Sequence, residues 1–164
     1  MNSILERMDL HGPGLWLPLA VGAALLLFII LMPKKKMNWR SIYLTFGVVS
    51  YVTLMLDVFI LGEYLDWFDI GDKYMEGLGD LFTYSIIPSC LAIAYLNYFN
   101  LQKKWIYVGI FTIISFLYEW ALTHLGYMQL NGWRTWYSLP VYIVVYGLWL
   151  PWHFQLMQRI YQQD

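Results

Sequence analysis

Charge is scarce in this chain: Asp, Glu, Lys and Arg make up 13% of its 164 residues, where soluble domains carry about a quarter. Ten basic and eleven acidic residues leave a net charge of −1. No basic patch offers a footing for nucleic acid, and that partner class is excluded. Cysteine occurs once, as Cys90 within an apolar run. It rules out an intramolecular disulfide and a cysteine-built metal cluster, and reads as a small buried hydrophobe. Also missing are a zinc-binding spacing, a glycine-rich phosphate loop, a G-x-S-x-G turn and any Cys–His pairing. The histidines His11, His124 and His153 fall at different levels of the layout derived below, so they do not supply facing haem ligands. No catalytic residue, metal or cofactor is assigned, and an enzyme is the less favoured class.

Apolar sequence is what the chain has in abundance. Hydrophobic residues make up 60% of it, and the mean hydropathy is +0.51. Crossing roughly 30 Å of hydrocarbon takes about 20 helical residues. About five stretches reach that length, spanning 14–32, 41–62, 81–100, 105–126 and 137–157. The expected fold is therefore an all-α polytopic transmembrane bundle of about five helices, a single domain over 1–164. Lys34, Lys35, Lys36, Arg40, Lys103, Lys104 and Arg159 follow the odd-numbered spans, against Arg7, Lys73 and Arg134 on the other side. That asymmetry predicts the N-terminus outside and the C-terminus in the cytoplasm. The first span has its positive charges after the apolar run, which fits a retained anchor rather than a cleaved signal. Trp16, Trp67, Trp133 and Trp136 are expected at one membrane interface, and Trp39, Trp105 and Trp152 at the other.

The longest connection, EYLDWFDIGDKYMEGLGD from Glu63 to Asp80, holds six acids and one lysine. Its first half reads as a short interfacial helix with Tyr64, Trp67 and Phe68 dipping into headgroups. Asp66, Asp69 and Asp72 recur every third residue, which does not suit a calcium loop and reads as a solvated acidic surface.

Two carboxylates fall within apolar spans, Asp57 in the second and Glu119 in the fourth. Such groups cost about 2.5 to 3.5 kcal/mol near the bilayer centre and turn toward partners or a cavity. Both sit on the same side of their span centres, at similar depth, so they can share one pocket. Helical spacing places Ser50 and Thr53 with Asp57, and Thr112, Ser115 and Thr123 with Glu119. Ser85, Ser89 and Ala92 flank Pro88, whose missing N–H frees a carbonyl for a neighbouring side chain. Ser138, Tyr142, Tyr146, Trp149 and His153 line the fifth span, whereas the first has no polar stripe and is expected at the periphery. His124 lies about 140° around the helix from Glu119 and does not share its face. Hydroxyls between membrane helices are ordinary packing material, but Asn or Gln would pack as well as Asp57 and Glu119. The candidate ligand and proton pocket is thus Asp57, Glu119, Ser50, Thr53, Ser85, Ser115, Tyr142 and Tyr146. Arg134, bracketed by Trp133 and Trp136, either caps that pocket or snorkels to phosphates.

Asn38-Trp39-Arg40 opens the second span, Asp57 lies within it and Pro88 within the third. Tyr118-Glu119-Trp120 is followed by Gly126, then by Gly132-Trp133 and Trp136-Tyr137-Ser138, and the last span reaches His153. From Asn38 to Arg159 this pattern resembles a family of small uncharacterised multipass integral membrane proteins of Bacillus-like spore-forming bacteria. The resemblance implies a protein of the bacterial cytoplasmic membrane and supplies no activity. Taken with the residues, the expected function is an outward-facing intramembrane pocket for a small or amphiphilic ligand, linked to protons through the two acids. The alternative is a structural or regulatory subunit whose polar stripes bind a partner membrane protein or a second copy. An intramembrane enzyme using the two carboxylates as acid and base stands third.

Overall fold

Each helix begins and ends where local chemistry dictates. The computed structural model describes residues 12–71 and 77–161. Arg7 and His11 of the N-terminal flank, and Asp72 and Lys73 of the acidic loop, lie outside the described residues. Helix α1 spans Trp16–Leu31. Helix α2 starts at Trp39–Thr53, where the Oδ1 of Asn38 accepts the N–H of Ser41 at 2.8 Å, an N-cap bond. It continues through wide π-helical turns over Leu54–Tyr64. Helix α3 runs from Leu78–Leu81 through a π-helical stretch, Phe82–Ile86, into Ile87–Tyr98. Helix α4 covers Lys104–His124 and stops at Gly126, whose φ of 76° is the left-handed conformation that glycine adopts without strain. Helix α5 comprises Ser138–Val144, a π-helical Val145–Trp149 and Leu150–Tyr161.

Two of the three wide stretches share a cause. The π-helical segments Phe82–Ile86 and Val145–Trp149 each end two residues before a proline, Pro88 and Pro151. Ile87 and Leu150 donate their N–H groups five residues back, to Phe82 and Val145. A proline ring clashes with the preceding turn and brings no donor, and widening the turn relieves the clash. The orphaned carbonyls find side chains instead. Thr53 Oγ1 donates to the Tyr84 carbonyl, and Tyr95 Oη donates to the Tyr146 carbonyl at 2.6 Å. For Pro88 this is the behaviour that the sequence predicts.

The third helix is the centre of the bundle. Ser89, Cys90, Ile93, Tyr95, Leu96 and Asn97 are all shut off from solvent, and α1, α2, α4 and α5 all pack against α3. Helix α1 turns Pro18, Gly22 and Ile29 inward, at helical spacing, and presents its other side outward. At Gly22 the contact is so close that an added Cβ would sit 2.2 Å from Cδ1 of Phe82. Asn97 ties down the lysine turn: its Oδ1 accepts the N–H groups of Lys35, Lys36 and Met37 at 2.9, 3.2 and 3.4 Å, and its Nδ2 donates to the Pro33 carbonyl at 2.9 Å.

The outward surfaces are apolar. On α4, Ile106, Ile110, Ile113, Ile114, Leu117 and Trp120 are exposed along one face, and contiguous exposed apolar surface marks a protein or membrane contact. The apolar runs predict about five spans, and by length and composition three helical segments qualify: Trp39–Gly62, Leu78–Tyr98 and Leu101–His124. Helix α1 is apolar but has 16 residues, and α5 loses hydropathy to its Tyr, Trp, Pro and Gln content.

The helical prediction needs one correction. The first half of the Glu63–Asp80 loop forms no interfacial helix. Instead β1 (Phe68–Ile70) pairs antiparallel with β2 (Met128–Leu130), Phe68 opposite Leu130 and Ile70 opposite Met128. Phe68 and Ile70 are buried while Asp69 between them is more open, the alternation that a half-buried strand requires. This ribbon joins the loop after α2 to the loop after α4 and covers one end of the bundle. The lysine turn marks the other end.

Candidate functional site

Glu119 is buried, with 6% of its surface exposed, and both its oxygens are occupied. Oε1 accepts the Ser138 hydroxyl at 2.6 Å and the Trp133 indole N–H at 3.2 Å, and Oε2 accepts the Tyr142 hydroxyl at 2.8 Å. The donors come from the first turns of α5 and from the loop before it. The indole N–H of Trp133 also reaches Ser138 Oγ at 3.0 Å. Bonds to a charged carboxylate are about twice as strong as those between neutral groups.

The ribbon sets the position of Trp133. Three successive N–H groups, those of Asn131, Gly132 and Trp133, converge on the Trp67 carbonyl at 2.9 to 3.0 Å. The Trp133 ring stacks on Trp67 at 5.3 Å and meets the edges of Phe68 and Tyr137. Asn131 Nδ2 adds bonds to Asp66 at 3.2 Å and Asp69 at 2.9 Å. Two of the acids read as solvated surface therefore hold the loop that delivers an indole to Glu119.

Asp57, on α2, is half-buried, lies within electrostatic reach of Glu119 and Tyr142, and makes no hydrogen bond among the described residues. Its backbone lies in the widened part of α2, a distortion found often at functional positions. Two carboxyl groups thus sense each other's charge, Glu119 with both oxygens bonded and Asp57 with no hydrogen bond among the described residues. Among the described residues, no three His, Cys, Asp or Glu gather to hold a metal ion.

One turn toward the lysine end is a second layer. Ser115 Oγ and Tyr146 Oη lie 2.9 Å apart, and Tyr146 packs with Tyr95 and Phe111 at ring distances of 5.1 and 5.6 Å. Below it, Thr112 is 5% exposed and its hydroxyl has no partner among the described residues. Further down, His153 Nε2 sits 3.3 Å from Thr45 Oγ1.

The remaining predicted pocket residues go elsewhere. Ser50 and Ser85 form a separate hydroxyl cluster between α2 and α3: Ser85 Oγ donates to Ser50 Oγ at 2.8 Å, and Ser50 Oγ lies 2.9 Å from Ser89 Oγ. Thr53 is taken up by the carbonyls of Val49, Ser50 and Tyr84. Among the described residues, none of these hydroxyls bonds Glu119 or Asp57. Arg134 is exposed and is not among the partners of Glu119. His124 is exposed and stacks on Trp120 at 5.2 Å, away from the site. Reasoning from sequence misses Trp133, because an indole beside the membrane boundary reads as an anchor. It finds Ser138 only as a member of a stripe.

No family model, no curated protein and no solved structure matches this chain.

Proposed function

We infer that this chain is a multipass protein of a bacterial cytoplasmic membrane, with the ribbon end outside and the lysine turn inside, whose α2, α4 and α5 enclose an outward-facing pocket for a small or amphiphilic ligand. The observation that carries this reading is Glu119, a buried carboxyl held by three donors with Asp57 within electrostatic reach. A carboxylate in an apolar span costs about 2.5 to 3.5 kcal/mol, and packing alone would be served by an amide. Here three donors fix one carboxyl, and a second, with no hydrogen bond among the described residues, lies within its electrostatic reach. The apolar outer faces of the helices and the exposed rings of Trp16, Trp39, Trp105, Trp136 and Trp152 support residence in a bilayer. The family resemblance supports the bacterial setting. Protons are linked to binding because two carboxyls within electrostatic reach of one another gain little from both being charged.

The test is native mass spectrometry of the intact chain released from its membrane. The wild type carries a small bound molecule that Glu119→Gln and Asp57→Asn lose while the fold persists. A bare wild-type chain, with stability unmoved by both substitutions, would rule the pocket out.

One observation favours the second reading, a subunit that binds a partner helix. Tyr43, Gly47 and Tyr51 lie on one exposed face of α2, four residues apart, and a Cβ at Gly47 would meet nothing within 4 Å. Small residues flanked by larger ones let membrane helices approach closely. A mass in mild detergent of more than one chain, reduced to one by Gly47→Leu, is its expected signature.

A further inference from the structure

We propose that the seam between α4 and α5 is a proton path from Glu119 at the ribbon end to His153 at the lysine end, with water at the Thr112 hydroxyl as its middle link. The Thr112 side chain is the starting point. A helical threonine normally donates to the carbonyl four residues earlier, as Thr123 does to Glu119 at 3.0 Å and Thr53 to Val49 at 2.8 Å. Thr112 is buried and makes no such bond among the described residues. A buried hydroxyl left alone is unfavourable, and a water with two or more polar neighbours is the usual remedy.

The neighbours are in line. Glu119, Ser115 and Thr112 recur at four and three residues on α4, so they share a face. On the antiparallel α5, Ser138 and Tyr142 bond Glu119, and Tyr146 meets Ser115. Continuing that pairing puts Thr112 between the levels of Tyr146 and His153. His153 is itself buried, with Thr45 Oγ1 on its Nε2 and Trp149 against its ring. No direct hydrogen bond among the described residues joins Glu119 to Ser115, the Ser115–Tyr146 pair to Thr112, or Thr112 to His153, so water supplies those three links. Every member, whether carboxyl, hydroxyl, water or imidazole, can accept one proton and donate another. In each hop one bond to hydrogen breaks as the next forms, so a proton taken up at Glu119 leaves at His153 with no net change in between. Besides these residues, Tyr142 bonds Glu119 and Asp57 lies within its electrostatic reach, and Thr45, Trp149 and Met157 surround the imidazole side.

This inference rests on the reading of Glu119 as the head of an open pocket, and the two can fail separately. The intact chain is placed in vesicles of phosphatidylethanolamine and phosphatidylglycerol with a trapped pH-sensitive dye, and a potassium diffusion potential drives protons inward. Wild-type vesicles acidify. Thr112→Val slows the rate about tenfold, Thr112→Ser stays within about twofold, and His153→Gln is as slow as the valine variant. The small molecule bound at Glu119 remains in Thr112→Val. Equal rates for wild type and Thr112→Val, or wild-type rates no faster than protein-free vesicles, overturn the path and leave the pocket standing. Acidification blocked by Thr112→Val in a chain that never carries a ligand overturns the pocket and leaves the path. Should the valine variant not assemble, Thr112→Ala compared with Thr112→Ser decides, and equal rates for these two sink the proposal.

Discussion

Thr53 on α2 donates its hydroxyl to the carbonyl of Tyr84 on α3, the group that Pro88, four residues later, cannot serve. One side chain thereby completes the backbone of another helix. Replacing Thr53 by Val removes the hydroxyl donor from that carbonyl and is expected to lower stability by about 1 to 3 kcal/mol. Pro88→Ala restores a backbone donor, so the same Thr53→Val change should cost less in the Pro88→Ala background. A double-mutant cycle by denaturant unfolding in detergent micelles checks this, and strictly additive costs would refute the shared carbonyl.

Trp133 holds Glu119 through its indole N–H and holds the ribbon through its ring. Trp133→Phe keeps most of the stacking on Trp67 and removes only the donor. The expected loss is about 1.5 to 3 kcal/mol, the range for a bond to a charged group. Glu119→Gln should shrink that loss. Unfolding curves of both single variants and the double variant test the coupling.

Gly22 has no room for a side chain. Its Cβ would fall 2.2 Å from Phe82, so Gly22→Ala is expected to destabilise by about 1 to 3 kcal/mol through overpacking. Phe82→Leu should return much of it. If Gly22→Ala is neutral on its own, α1 does not pack on α3 at this distance.

Orientation can be read chemically. Cys90 is fully buried, so it stays silent to membrane-impermeant maleimides and serves as an internal blank. A cysteine placed at Asp69 should label from outside intact cells, and one at Gln102 only after lysis. The reverse pattern would invert the proposed topology.

Much of the helical frame is legible in the sequence, because apolar runs bounded by Asn38, Asn100 and Gly126 set where helices begin and end. The side-chain repair beside Pro88 is legible for the same reason: a missing donor is a property of one residue. The ribbon is not. Phe68 and Leu130 pair across sixty residues, and only three positions on each side alternate, too few for a local pattern to announce. Missing that pairing also hides Trp133, since the ribbon is what aims it inward. The polar stripes show which faces turn in, but spacing cannot say which neighbour each hydroxyl meets. Thus Ser50, Thr53 and Ser85 lie at pocket spacing but bond one another or the backbone of α2 and α3 instead. Arg134 has the right neighbours in sequence and stands exposed, because a charged end reaches water at less cost than it enters an apolar cover.

The pairing of β1 with β2 also orders events during biosynthesis. The first strand emerges early, yet its partner arrives only after the whole of α4 has been made, and joining such distant segments is slow compared with local helix formation. Until then that end of the helices stays uncovered. The chain is therefore built as an open vessel, and its cover is sewn on only once α4 is complete.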